Sequence, residues 1–318
     1  MEKVSFVIPC YCSGSALKSV IDEIFETMEA EIQYEFEIIL INDCSPDNTF
    51  DMIRSLVFQN ENIIGINLAK NFGQHAALMA GFRHATGDII VCLDDDGQTP
   101  ASEVGLLLRK LEEGYDVAYA SYAEKKHSIF RNWGSWINSK MTEIMLNKPK
   151  GLMITSYFAA KKFIVKEMIR YENCYPYVIG LVLRSTKNIC NVPVEHRSRK
   201  NGSSGYTIGK LVSLWMNGFT SFSVKPLRMA TYIGILSSIC GGLYLIYIII
   251  LYFTVHSAPL GWSSTTAILL LLGGVILFVL GLIGEYVGRI YMCTNAAPQY
   301  VIKETIKNKK GIDTRISL

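Results

Sequence analysis

Through Ala120 the chain alternates between two hydrophobic periods. Strand-length apolar runs at Val4–Ile8, Phe36–Ile41, Ile63–Leu68, Asp88–Leu93 and Val117–Ala120 are separated by segments with helical spacing. Those segments are Ala16–Met28, Thr49–Phe58, Gln74–Ala85 and Ser102–Glu113. In the first, Leu17, Val20, Ile21, Ile24 and Phe25 fall on one face. Continuous apolar strands alternating with helices predict an α/β domain with a doubly wound, mostly parallel sheet covered on both faces. In such sheets ligands bind beyond the carboxyl ends of the strands, so the polar residues just after each strand are the candidates for chemistry.

The pattern changes at Met229. Met229–Val255 and Thr265–Val287 are apolar stretches that each reach the roughly 20 residues a spanning helix needs. All 31 Lys+Arg and 28 Asp+Glu lie outside Met229–Gly284, as required where a charge at bilayer depth costs about 2.5–3.5 kcal/mol. The connector 256–262 has no Lys or Arg, whereas Lys225, Arg228, Arg289 and Lys303 flank the pair. Both flanks are therefore expected in the cytoplasm, with the protein multi-pass in the inner or plasma membrane. Glu285 and Arg289 are spaced for an i,i+4 pair at the inner end of the second span.

Four parts are expected. A cytoplasmic domain covers 1–206 and an amphipathic juxtamembrane helix, anchored by Trp215 and Phe219, covers 207–228. A two-helix hairpin covers 229–288 and a basic cytoplasmic tail covers 289–318. From Lys303 the tail carries five basic and two acidic residues, which predicts a solvated end against anionic headgroups. The net charge of +3 is too small to suggest nucleic-acid binding. Eight cysteines without paired spacing read as small apolar fillers in a reducing compartment, and the N-terminal apolar run, broken by Pro9, does not read as a signal peptide.

Three strand ends carry chemistry. After the second strand stands Asn42-Asp43-Cys44-Ser45-Pro46-Asp47-Asn48-Thr49, in which Asp43 is at the strand tip and Ser45 or Asp47 can cap the next helix. After the third comes Lys70-Asn71-Phe72-Gly73, a cation beside a tight turn. After the fourth comes Asp94-Asp95-Asp96-Gly97-Gln98. Adjacent carboxylates repel unless a cation is bound. Asp94, Asp96 and Gln98 fall on one side, and their hard oxygens suit Mg²⁺ or Mn²⁺ completed by water and substrate phosphates.

With Ile8-Pro9-Cys10-Tyr11 at the first strand and the segment His196 to Leu211 before the hairpin, the ordered set resembles a family 2 glycosyltransferase of the GT-A fold. More narrowly, the whole chain is similar to the polyprenyl-phosphate hexosyltransferases, which include dolichyl-phosphate mannose synthase and bacterial undecaprenyl-phosphate glycosyltransferases. The resemblance implies that Pro9 and Tyr11 line a nucleotide pocket in which Asp43 reads the base, with Lys70 and Asp95 also on the donor side. It implies a donor-diphosphate and metal motif in Asp94 and Asp96 supported by Gln98, and an acceptor phosphate held by Arg131 and Ser135. Where the family usually has Asn and Glu after Tyr11, this chain has Cys12 and Ser13. The family often assembles through its membrane helices, which leaves a homo-oligomer open.

The implied partners are a UDP-linked nucleotide-sugar donor, a polyprenyl phosphate lipid and the membrane. An acceptor hydroxyl would need a carboxylate base, yet between Gly151 and Pro193 only Glu167 and Glu172 are acidic, both at an apparent helix. A phosphate acceptor is already anionic and needs positioning more than deprotonation. Arg131 opens a helix whose Trp133, Trp136, Ile137, Met141, Ile144 and Met145 lie largely on one side; it suits the interface or the sheet surface. Arg197, Arg199 and Lys200 stand in a glycine-bearing basic loop suited to diphosphate, lipid phosphate or headgroups. His75 and His84 are expected to serve packing. A processive polysaccharide synthase is disfavoured by two spans and no Gln-x-x-Arg-Trp motif. Transfer to another lipid or glycan acceptor, or an inactive scaffold, are the remaining alternatives.

Overall fold

The computed structural model describes residues 1–14, 16–122, 140, 142–144, 146–195, 225–255, 261–309 and 312–313. Strands β1 (Glu2–Cys10), β2 (Tyr34–Asn42), β3 (Ile63–Leu68) and β4 (Ile89–Cys92) alternate with helices α1 (Leu17–Ala30), α2 (Thr49–Gln59) and α3 (Gln74–His84). A 3₁₀ turn at Ala101–Glu103 leads into α4 (Val104–Glu112). Then follow β5 (Val117–Tyr122), β6 (Phe158–Lys161), α5 (Lys162–Met168), α6 (Val178–Ser185) and β7 (Ile189–Val194). The described chain closes with α7 (Lys225–Val255), α8 (Trp262–Thr294), β8 (Ile302–Lys309) and β9 (Ile312–Asp313).

The sheet runs β7-β5-β6-β4-β1-β2-β3-β8-β9. Its centre is parallel, β1 pairing with both β2 and β4, and β2 with β3. That parallel centre is the one expected from the apolar runs. The flanks mix directions: β6 is antiparallel to β4 and to β5, and β7 is parallel to β5. Alternate residues of the central strands bury on opposite faces. Val4, Phe6 and Ile8 join Leu17, Ile21, Ile24, Ile53, Leu107 and Leu108 in one core. On the other face Val7 and Ile41 press against Gly81 of α3, where an added Cβ would meet Val7 at 2.4 Å. Phe6, Ile8, Leu40 and Val91 are fully buried, each contributing about 1.5–3 kcal/mol by leaving water.

The tail is where expectation and structure part. Helix α8 runs on to Thr294, and Ile302–Lys309, expected as a solvated basic end, is instead strand β8 on the edge of β3. The cause is a period-two pattern hidden by the lysine count. Ile302, Glu304 and Ile306 alternate with Lys303, Thr305 and Lys307, and Ile306 is buried against Gly65, where a Cβ would lie 2.7 Å from it. A glycine on β3 thus makes the room that β8 fills. Residues 1–212 and 296–318 form one compact unit.

Residues 213–295 form a second unit. Along α7, Tyr232, Leu236, Leu243, Tyr247 and Ile250 are exposed; along α8, Leu277, Phe278 and Ile290 are. Rows of this kind are unfavourable in water. Among the described residues, Leu272–Thr294 is one stretch long and apolar enough to cross a membrane, ending seven residues beyond the expected Val287. Glu285 accepts from Arg289 Nε at 3.0 Å and from a terminal guanidinium nitrogen at 2.6 Å, which is the i,i+4 pair expected from the spacing. The juxtamembrane helix expected over 207–228 lies outside the described residues up to its last turn, where α7 already begins.

Candidate active site

The ends of β1, β2, β3 and β4 point the same way, so the residues following them share one edge of the sheet. After β1, the Tyr11 amide donates to Asp95 at 3.1 Å, the Cys12 amide to Ser45 Oγ at 3.1 Å and the Ser13 amide to Thr49 Oγ1 at 3.0 Å. The Tyr11 ring is exposed. Pro9 is still within β1, opposite Ile41. Cys12 (φ 57°) and Cys44 (φ 53°) both adopt the left-handed backbone and are exposed. They therefore do not act as the apolar fillers expected of them, whereas Cys10 and Cys92 are buried. All eight cysteines are free.

Asp43 is 3% exposed. One carboxylate oxygen accepts the Phe72 amide at 2.7 Å and the other the Gly73 amide at 2.8 Å. Burial raises its pKa, and the two amide bonds oppose that rise. Asp43 therefore fixes the turn after β3, where Gly73 (φ 88°) needs a conformation that L side chains rarely adopt. Lys70, on the same turn, is exposed, with its ammonium 4.9 Å from the Phe72 ring centre. Asp47 accepts the amide and hydroxyl of Thr49 at 3.2 and 2.6 Å, at the entry of α2, as its spacing suggests.

The acidic triplet divides. Asp95 turns inward to the Tyr11 amide, and its pKa is pushed up to about 6 by burial, with Asp94 and Asp96 adding to the rise and Ser13 and the Tyr11 amide opposing it. The Ser13 hydroxyl faces that carboxyl without closing a hydrogen bond of normal geometry. Asp94 stays half-buried on the outer side, accepting from Gln74 Nε2 at 3.1 Å and from the Ser156 hydroxyl. Asp96 accepts the Gln98 amide at 3.0 Å around Gly97 (φ 71°). Among the described residues no three His, Cys, Asp or Glu side chains converge as a metal cage. Two carboxylates and one amide oxygen nonetheless fit a hard cation that takes the rest of its shell from water and a diphosphate.

Gln74, Ser156 and Tyr122 are site residues that the sequence did not single out. Burial first, then the charges of Asp94, Asp96 and Glu103, raise the Tyr122 pKa. Tyr122 also borders a groove of about 680 Å³ with Glu103, Met153, Asn191, Val194 and Glu195. Only Gln74 carried a signal, as the first residue of the helix after the Lys70 turn. Arg131, Ser135, Arg197, Arg199 and Lys200 lie outside the described residues, as does most of the helix expected after Arg131. Glu167 pairs with Arg170 at 3.0 Å and Glu172 with Arg83 at 3.8 Å, both exposed. His75 packs edge-on against Tyr177, and burial lowers its pKa to about 4. His84 Nδ1 lies 2.8 Å from Ala80 O.

Residues 5–169 match the glycosyl transferase family 2 profile, and residues 225–290 match the GtrB C-terminal hairpin profile. The chain is 31% identical over 317 residues to the undecaprenyl-phosphate 4-deoxy-4-formamido-L-arabinose transferase of Proteus mirabilis (strain HI4320), covering 98% of this chain and 96% of that one. Among solved structures it is similar to glucosyl-3-phosphoglycerate synthase from Mycobacterium tuberculosis. The UDP complex superposes with a TM-score of 0.53 at 15% identity, over 70% of this chain and 79% of that one. The complex with Mn²⁺, UDP-glucose and phosphoglyceric acid gives 0.52 at 15%, over 70% and 78%. At that identity the likeness concerns the fold.

Proposed function

Because the chain belongs to glycosyl transferase family 2 and is a glycosyltransferase, we propose that it moves one sugar from a UDP-linked nucleotide donor to a polyprenyl phosphate. The acceptor is undecaprenyl phosphate, the reaction runs at the cytoplasmic face of the membrane, and the product is a lipid-linked sugar for cell-envelope glycan modification. The observation that carries this is the gathering of Tyr11, Asp43, Lys70 and the Asp94–Asp96 triplet at the carboxyl ends of adjacent strands, in a chain that also bears an apolar hairpin. The full-length likeness to a transferase named for undecaprenyl phosphate supports the choice of acceptor.

Pro9 and the exposed Tyr11 ring line the nucleotide pocket, with Lys70 toward its phosphates. Asp43, holding the 72–73 turn, gives that pocket a fixed wall, and Asp95 holds the Tyr11 amide. Asp94, Asp96 and Gln98 would hold a divalent cation, Mg²⁺ or Mn²⁺, whose chemistry is to neutralise charge on the leaving diphosphate. Arg131 and Ser135, with Arg197, Arg199 and Lys200, supply the basic and hydroxyl groups that an acceptor phosphate needs. A phosphate oxygen attacks the sugar C1, the C1–O bond to the nucleoside diphosphate breaks, and configuration inverts. No general base is required, which agrees with Glu167 and Glu172 being tied in surface ion pairs.

The test uses full-length protein in detergent, undecaprenyl phosphate, Mg²⁺ or Mn²⁺, and a panel of labelled nucleotide sugars. A labelled, metal-dependent lipid in the organic phase is the expected result. Donor binding without a labelled lipid would overturn the acceptor assignment, and absence of donor binding would overturn the whole proposal.

A further inference from the structure

A line of hydrogen bonds crosses three strand ends, from the C-terminal strand to the loop after β1. Asn67 Nδ2 donates to Glu304 of β8 at 3.2 Å, and Asn42 Nδ2 donates to Asn67 Oδ1 at 2.8 Å. The Ser45 amide donates to Asn42 Oδ1 at 3.2 Å, and the Cys12 amide donates to Ser45 Oγ at 3.1 Å. Asn42 and Asn67 are 2% and 8% exposed and stand in register across β2 and β3. A buried amide left with donor facing donor costs free energy, so each side chain has one acceptable orientation.

Glu304 decides that orientation. A carboxylate only accepts, so Asn67 must turn its Nδ2 toward β8 and its Oδ1 toward Asn42. Asn42 must then give its Nδ2 to Asn67, which leaves Oδ1 for the Ser45 amide. A donor at position 304 would reverse both amides and set Asn42 Nδ2 against the Ser45 N–H. The carboxylate is itself held: Arg54 lies 3.6 Å from its second oxygen, and Glu304 is one-quarter exposed. Strand β8 is anchored beside the same edge, since Val301 O accepts the Ala69 amide at 2.8 Å, one residue before Lys70. Gln299 Nε2 donates to the carbonyls of Tyr171 and Asn173 at 3.2 and 2.9 Å.

We propose that Glu304 is a positioning residue for the donor pocket, fixing through Asn67 and Asn42 the backbone of Ser45 and Cys12 from a strand encoded after the hairpin. It touches no substrate. The functional part rests on the nucleotide lying at the ends of β1 and β2, so one readout is independent of any ligand.

Wild type, Glu304→Gln, Glu304→Ala and Glu304→Lys are compared as full-length protein in detergent. The first readout is donor KM against kcat in the lipid-transfer assay. The second is amide hydrogen exchange of 10–14 and 42–47 without ligand. Glu304→Ala is expected to raise donor KM about five- to tenfold, within the net worth of one ordinary hydrogen bond, with kcat within about twofold of wild type. Glu304→Gln, which can still present an oxygen to Asn67, restores KM, and Glu304→Lys is worse than Glu304→Ala. Exchange quickens at 10–14 and 42–47 in the Ala and Lys variants and not in Gln.

A donor KM unchanged in Glu304→Ala, or a loss confined to kcat and melting temperature in all three variants, overturns the proposal in favour of an edge strand that only stabilises. Should Glu304→Lys not fold, the Ala–Gln contrast decides by itself. Should wild type bind no nucleotide sugar, the exchange readout decides alone. Quickened exchange in Glu304→Ala but not Glu304→Gln then upholds the positioning chain while the donor assignment falls, and unchanged exchange overturns the chain.

Discussion

Asn42, Asp43 and Asn67, at the tips of β2 and β3, are nearly inaccessible, and their amides and carboxylate are matched by groups of the same domain. Beyond β4, Asp94, Asp96 and Gln98 are half-buried, and three consecutive carboxyl groups stand together. Folding alone decides where the first set of atoms lies. The second set gathers three adjacent carboxyl groups, and adjacent carboxylates repel one another. A donor bound as proposed would thus meet a wall set by folding on its nucleotide side and a cluster of carboxyl groups on its diphosphate side.

The largest test of that contrast is Asp96→Asn. It should lower transfer by two to three orders of magnitude, about 3–4 kcal/mol, because the missing charge belongs to the diphosphate side. The same variant should melt at or slightly above the wild-type temperature in differential scanning fluorimetry, since one repulsion is relieved. A large fall in melting temperature would break the comparison, by making Asp96 structural.

Asp43→Ala should do the reverse. It strips acceptors from two backbone amides in a buried place and should destabilise by about 2–4 kcal/mol, read as a lower melting temperature even without donor. A variant that melts like wild type yet loses donor affinity would move Asp43 to the ligand-dependent side.

Asp95 lies between the two behaviours. Its pKa is raised to about 6, so around pH 5 the folded chain holds a proton that the unfolded chain releases. The stabilisation from that proton is complete below the ordinary aspartate value near 4 and is lost as pH rises through about 6. Between pH 4 and 7 the ligand-free wild type should lose about 1–3 kcal/mol relative to Asp95→Asn, measured by thermal unfolding at each pH. Parallel pH profiles for the two proteins would show that this carboxyl is ordinary. Smallest is Lys70→Met, where an exposed cation–π contact of about 0.5–1 kcal/mol is given up. Stability should hardly move, while donor KM rises about threefold in the transfer assay.

The central sheet could be read from sequence because β1 to β4 are buried on both faces and so appear as unbroken apolar runs. The strand-tip residues followed from the same pattern, since a polar residue directly after such a run has only the carboxyl edge to occupy. Ser156 escaped because nothing in its neighbourhood distinguishes a polar residue that reaches Asp94 from one that faces solvent, whereas Gln74 was marked only by its place at the start of the helix after the Lys70 turn. Strand β8 escaped for a different reason: its lysines hid the period-two pattern, and Glu304 occupies an inward position that this pattern reserves for apolar residues. Its partners, Asn67 and Arg54, lie more than 200 residues earlier, and no local pattern can announce them. Asp43 follows β2 as the apolar run suggests, but its two amide partners could be known only once the Phe72–Gly73 turn was built.

Strand β8 also sets an order of events during synthesis. The catalytic sheet is interrupted in the gene by the hairpin, so the N-terminal strands leave the ribosome with the β3 edge bare and Gly65 uncovered. That edge gains its partner only after both apolar helices have been translated and residues 302–309 have emerged. Until then a row of unpaired backbone groups is open to other chains. Delivery to the bilayer thus comes before completion of the enzyme, and a nascent chain stalled in the hairpin would carry an unsealed sheet.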